Sequence, residues 1–280
     1  MAVSAEGKIV VGFDGSEEAR GAVIWAARQA TAEQRGLLVV HCWLWPLFTH
    51  DLGPVEGVAD SGLKHAAELI LEDGAAAARG ASPDLQVDTA LAVGAAASVL
   101  PGLSEDARML VVGSRGLGGL LGFLVGSTSL TLAASAHCPV AVVRSAWDAR
   151  GPVVAGVDES AASAAAVEDA RELAQLWGEE LVLVHVGQAS EALDAAADRV
   201  KAASPGLAVR TQTVPGRTAA EGLLHAARGA RAVVVGAKGR HAAGGQTGST
   251  VHRVLHHSAG TVLVGGHARA AATIPAAPDS

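Results

Sequence analysis

Two kinds of apolar pattern alternate along this chain. Short continuous runs rich in β-branched residues, such as KIVVGF at 8–13, LLVVHC at 37–42 and RMLVVG at 108–113, read as strands buried on both faces. Between them lie longer stretches with a helical repeat. In SEEARGAVIWAARQATAEQ at 16–34, Ala19, Ala22, Val23, Ala26, Ala27 and Ala30 share one face, and Ser16 stands where an N-cap belongs, ahead of acidic residues. LKHAAELILEDGAAAARG at 63–80 gives a second helix and LQVDTALAVG at 85–94 a third strand. ASVLPGLSEDA at 97–107 is a weak helix, interrupted by Pro101 and Gly102. STSLTLAASA at 127–136 gives the next helix and PVAVVR at 139–144 the fifth strand. Alternation of this kind predicts an α/β fold with parallel sheets and helices on both faces.

The pattern occurs twice. Asp14 matches Asp158 and His41 matches His185, each 144 positions apart; Gly113 matches Gly236, 123 apart. The second copy places strands near 152–157, 181–186, 207–213, 231–236 and 261–265. The first copy carries about 21 extra residues in 43–63, a Pro- and Gly-marked loop with Trp43, Trp45, Leu47 and Phe48. That loop reads as a lid packed on its own domain, or as a contact surface for a partner or a ligand base. The expected division is a first domain over 1–146, a second over 147–270 and a disordered tail over 271–280.

The stretch VVGSRGLGGLLGFLVGSTS at 111–129 holds six glycines beside a run of hydroxyls. A phosphate cradle, a membrane span and plain tight packing compete to explain it. From 117 to 143 there is no Asp, Glu, Lys or Arg, and Gly118, Gly122 and Gly126 have the spacing of paired membrane helices. The equivalent stretch of the second copy contains Arg240, Arg253 and several histidines, which argues against a span. In open parallel sheets, ligands sit outside the carboxyl ends of the strands. Here those ends are GFDGS and GSRGLGG. Glycines let main-chain N–H groups approach a phosphate, and Ser127, Thr128 and Ser129 open a helix whose N-terminus attracts anions. Asp14 could hold a ribose hydroxyl or a metal carried by the phosphates. The bland alternative is a strand-to-loop turn with Ser127 as cap. No GxxxxGK[ST] and no GxGxxG after the first strand are present.

Gly113, Gly116, Gly126 and Ser127 form G-x2-G-x9-G-[ST], which resembles the nucleotide-binding signature of the universal stress proteins. IVVGFDGSEEA, VVGSRG and HCPVAVV resemble the same family, over nearly the whole chain as a tandem pair. The resemblance implies two five-stranded sheets of order 3-2-1-4-5, joined through their last strands, and an ATP site in the first copy. Gly12, Phe13 and Asp14 would line that site, Cys42 would meet the base, and Gly113, Arg115, Gly116, Gly126, Ser127, Thr128 and Ser129 would hold the phosphates. The second copy offers Gly156, Val157, Asp158, Val186, Gly236, Lys238, Gly239, Gly248, Ser249 and Thr250, with a loop one residue shorter. Magnesium borne by the nucleotide would sit near Asp14 and Asp158, and ADP or AMP could stand in for ATP.

Composition narrows the function further. A formal charge of −7 with no basic stripe excludes a nucleic-acid surface. Two cysteines, Cys42 and Cys138, suit a reducing cytosol better than a disulfide scaffold. The N-terminus lacks the basic region and long apolar segment of a signal peptide, so a cytoplasmic protein is expected. His252 and His256 have a metal-binding spacing but no visible third ligand. Both cysteines read as small apolar residues, and His41 and His185 as a shared structural hydrogen bond. The expected function is a nucleotide-dependent regulator or interaction module, with an unidentified protein partner and further homodimerisation. A slow ATPase or nucleotidyl-transfer enzyme, and a scaffold without nucleotide, are the rivals.

Overall fold

The computed structural model describes residues 4–43, 62–116, 125–214, 218–237 and 248–266. The first half runs β1 (Ile9–Gly12), α1 (Glu17–Ala32), β2 (Leu37–Trp43), α2 (Gly62–Ala81), β3 (Val87–Val93), α3 (Ala96–Leu103), β4 (Met109–Gly113), α4 (Ser127–Ser135) and β5 (Val140–Val143). The second half repeats the order with β6 (Val153–Gly156), α5 (Ala161–Trp177), β7 (Leu181–Val186), α6 (Glu191–Ala203), β8 (Val209–Val214), α7 (Ala219–Ala226), β9 (Ala232–Gly236), α8 (Ser249–His257) and β10 (Thr261–Gly265).

The ten strands among the described residues form one sheet in the order β3-β2-β1-β4-β5-β10-β9-β6-β7-β8. Each half is parallel and ordered 3-2-1-4-5, as the resemblance implied. The halves meet where β5 pairs antiparallel with β10, Val142 opposite Val262 and Val140 opposite Val264. Alternate strand residues feed two cores. Ile9 and Val11 belong to the core that includes α1, α2, α5 and α6; Val10 belongs to the one that includes α3, α4, α7 and α8. Continuous apolar runs are what a sheet covered on both faces requires.

The helical face read from the sequence is the buried one: Ala19, Ala22, Val23, Ala26, Ala27 and Ala30 are all enclosed. Ser16 caps α1, its hydroxyl accepting from the Ala19 N–H at 3.2 Å, and Ser160 caps α5 in the same way from Ser163 at 3.1 Å. The weak helix is real. Pro101 lies inside α3, which ends two residues later, where the Ser104 N–H reaches the Leu100 and Pro101 carbonyls. A helix this short loses little to a missing N–H. The Trp-rich loop falls almost entirely in 44–61, and the tail in 267–280, both outside the described residues.

Aromatic residues from three segments meet behind the seam. Trp25 of α1, Trp147 between the halves and Trp177 at the end of α5 pack edge to face, with centroids 5.7–6.0 Å apart. The Arg231 guanidinium lies 4.0 Å from the Trp177 ring centre and 5.2 Å from that of Trp147, and donates to the Trp147 carbonyl at 2.6 Å. Trp177 Nε1 donates to the buried Gln29 side chain at 3.0 Å, a contact from one half to the other.

Candidate functional site

At the carboxyl ends of β1 and β4 a cavity of about 490 Å³ opens. All eleven first-copy residues singled out by sequence line it: Gly12, Phe13, Asp14, Cys42, Gly113, Arg115, Gly116, Gly126, Ser127, Thr128 and Ser129. The structure adds an apolar wall that sequence reading missed, made by Val40, Ala96, Leu100, Val112 and Val125. Val40 and Cys42 alternate on one face of β2, so that part was readable from strand period; α3 was obscured by Pro101.

The glycines do different jobs. A Cβ on Gly113 would lie 2.8 Å from the Glu18 main-chain carbon, so this glycine lets β4 pack against the first turn of α1. Gly236 does the same against Ala162. A Cβ on Gly116 would strike the Asp14 carboxylate, which places that acid across the mouth from the glycine loop. At Gly126 a Cβ would meet nothing closer than 3.9 Å, so packing alone does not demand glycine there. The packing explanation therefore covers Gly113, but not the whole motif.

The polar end gathers a helix N-terminus and one arginine. Gly126 is the N-cap of α4, no side chain among the described residues caps that helix, and its first residues, Ser127 to Ser129, line the cavity. Ser129 turns its hydroxyl back to the Gly113 carbonyl at 3.2 Å. Arg115 pairs with Glu18 at 3.0 Å, half-exposed. Asp14 accepts from the Ser16 N–H at 3.0 Å and from its hydroxyl at 2.6 Å, which fixes the carboxylate. Phe13 contributes main chain, since its ring packs in the opposite core beside Gly74. Its carbonyl accepts from His41 Nδ1 at 2.7 Å, and His185 reaches the Val157 carbonyl at 2.9 Å. The two histidines are structural, as their equivalence suggested. Burial pushes the Cys42 thiol up to about 11, and neither Cys42 nor Cys138 is in a disulfide.

The second half keeps part of the plan. Gly156 packs beside Leu223 as Gly12 does beside Leu100, each a Cβ distance of 3.2 Å. Gly248 is the N-cap of α8, again without a side-chain cap, and Ser249 and Thr250 open the helix. Asp158 accepts from the Ser160 N–H at 2.8 Å. Val186, which replaces Cys42, packs at Gly222. Two polar positions have changed places. Ser163 stands where Ala19 does and ties the Asp158 N–H to the Gly156 carbonyl; buried Val251 stands where Ser129 does. Lys238 and Gly239 fall outside the described residues. His252 and His256 stack at 4.4 Å, but among the described residues no group of three His, Cys, Asp or Glu is placed to hold a metal ion. No helix among the described residues is long and apolar enough to cross a membrane.

Fold and cavity together define a doubly wound α/β protein with a strand-end site suited to a phosphate-bearing ligand. Its relatives sharpen that class. The family model of the universal stress protein family matches residues 7–144. A universal stress protein of Mycobacterium tuberculosis is 31% identical over 298 aligned positions, covering 91% of this chain and 96% of that one. A universal stress protein of Mycolicibacterium smegmatis is 35% identical over 64% of this chain and 63% of its own length. Another from Mycobacterium tuberculosis, 38% identical, is matched over 49% of its length. The crystal structure of a universal stress protein from Archaeoglobus fulgidus superposes with a TM-score of 0.73 over 93% of this chain and 97% of that one, at 19% identity. The chain belongs to the universal stress protein family.

Proposed function

We propose that the first-half cavity binds an adenine nucleotide, ATP before ADP or AMP, and that the protein is a nucleotide-dependent regulator or interaction module. The observation that carries this reading is the convergence, in one cavity, of an uncapped α4 N-terminus, Arg115 and glycines 116 and 126 at one end with an apolar slot at the other. The slot of Val40, Ala96, Leu100 and Val112 suits a flat base, and Asp14 between the two ends suits a ribose hydroxyl. Charge-assisted bonds from the N–H groups and Arg115, each about 1.5–3 kcal/mol, supply most of the affinity. Magnesium arrives with the phosphates, near Asp14.

Asp14 is the one carboxylate among the described lining residues and is already held by Ser16. Binding, not turnover, is the function this arrangement suits. The second-half cradle, with Asp158, Gly248, Ser249 and Thr250, binds more weakly. The domains divide at 146/147, the protein works in the cytoplasm, and it pairs with a further copy or a partner protein.

The test is denaturing extraction of the purified protein, with nucleotide quantified per chain by mass spectrometry. About one ATP per chain, lost in Gly116→Glu, supports the reading, and about two adds the second cradle. ADP in its place, produced from added ATP, favours the enzyme. No bound nucleotide and no uptake of ATP with magnesium overturns the reading.

A further inference from the structure

The phosphate end of the first cavity lies one strand away from the seam. β4 and β5 run in register with Gly113 beside Val143, so Arg144, the next residue, sits next to the start of the glycine loop. Arg144 does not line the cavity. Its side chain crosses to the second half and donates through Nη2 to the Leu255 carbonyl, in the last turn of α8. Its main-chain N–H meets the Thr261 hydroxyl of β10 at 3.5 Å, and the neighbouring Ser145 hydroxyl meets the same atom at 3.1 Å. The last four carbonyls of a helix lack intrahelical donors, and a cation there is favourable. Arg144 therefore caps the C-terminus of α8 from the other half of the molecule. The N-terminus of that helix, Gly248 to Thr250, is the second candidate cradle.

The position has no counterpart. Gly266, the matching residue after β10, has φ +73°, and a side chain there would run into the Ala162 main chain. Arg144 is also poorly satisfied: its Nε is buried and reaches no acceptor among the described residues. Burial, and then repulsion from Arg115, lower its hold on its charge. Arg144 stays charged throughout, and an anion arriving beside Arg115 offsets the repulsion between the two guanidinium groups and so steadies Arg144 over the Leu255 carbonyl.

We propose that Arg144 is a positioning residue that links the first cavity to helix α8, so that a polyphosphate bound in the first half firms the helix that opens the second cradle. This inference rests on the nucleotide reading of the first cavity. By linkage, the coupling is reciprocal: ligand in the second cradle raises affinity in the first. The expected size is that of one charge at a helix terminus, a factor of about two to five in affinity.

The experiment is hydrogen exchange of the full chain, read on peptides spanning 249–257, with and without saturating Mg-ATP. It compares the unmodified protein, Arg144→Met, Arg144→Lys and Gly116→Glu, with ATP and AMP affinities measured alongside. The proposal expects ATP to slow α8 exchange in the unmodified protein beyond any slowing in Gly116→Glu, where only the second cradle can fill. It expects Arg144→Met to behave at α8 like Gly116→Glu while still binding ATP in the first cavity two- to fivefold more weakly, with AMP affected less. Arg144→Lys, which keeps the charge, should restore part of the response. Equal α8 exchange in the unmodified protein and Arg144→Met, with ATP bound to both, overturns the coupling alone. No ATP binding by the unmodified protein overturns the cavity reading and the coupling with it.

Discussion

Arg108 and Arg231 occupy the same point in the two halves, just ahead of the fourth strand of each, and are held in opposite ways. Arg231 lies over the rings of Trp177 and Trp147, with Glu179 at 3.4 Å. Arg108 pairs with Glu33 at 2.9 Å and with Glu172, from the other half, at 2.7 Å. Burial leads the balance at both arginines. At Arg231 it prevails and lowers the group's hold on its proton; at Arg108 it is outweighed by Glu33 and Glu172, and the hold is raised. The residues matching Trp177 and Trp25 are Glu33 and Asp169, so the ring-lined side and the carboxylate-lined side are two versions of one structural position. Two identical subunits would have to repeat a single solution across their axis. A covalent pair is free of that requirement, and only one side receives the connection that carries Trp147.

The sharpest way to break the comparison is Trp177→Ala. It removes a ring from under Arg231 and the donor to Gln29, and a loss of about 3–5 kcal/mol is expected by urea denaturation. A loss under 1 kcal/mol would show that Arg231 needs no aromatic support. Next comes Gly116→Glu, whose carboxylate would sit in the phosphate position beside Asp14. ATP affinity in the first cavity should fall at least 100-fold, about 2.7 kcal/mol, with the melting temperature little changed. Calorimetric titration showing unaltered affinity would remove the glycine loop from the site.

Arg108→Met tests the carboxylate side and should cost about 1–3 kcal/mol, less than a fully buried pair because Glu172 is partly exposed. Arg108 stabilises the fold through attraction to the ionised Glu33 and Glu172, and acid removes that attraction. The variant's deficit should therefore shrink as pH falls through the carboxylate range and grow as pH rises above it. A pH-independent deficit would mean that packing, not charge, is lost. Asp14→Ala should weaken ATP about tenfold, and no change would take Asp14 out of the site. The mildest probe is alkylation of Cys42. With its thiol pushed up to about 11, iodoacetamide should react slowly at neutral pH, and ATP should slow it further. Fast labelling at pH 7 would place the thiol in water.

Much of this architecture was legible because it depends on local pattern. The duplicated strand runs, the alanine face of α1, the Ser16 cap and the matched histidines each rest on residues a few positions apart or on the repeat itself. The glycines and hydroxyls of the cavity stood out because they cluster at strand ends, whereas Gly12, Phe13, Cys42 and Arg115 came from the resemblance to the family. What escaped were pairings between distant segments. Nothing near Arg231 in sequence announces Trp147 or Trp177, and nothing near Arg144 announces Leu255. The role of Gly113 was also hidden, since a glycine needed for helix packing and one needed for phosphate approach look identical in one dimension. Pro101 misled in the other direction, by making a working helix look broken.

The antiparallel β5–β10 seam has a directional consequence. Strands of the two halves point opposite ways, so their carboxyl ends emerge at opposite poles of the molecule. A partner docking at one pole would therefore meet only one of the two candidate cradles. The coupling proposed between the two halves would run through the chain itself, across the seam.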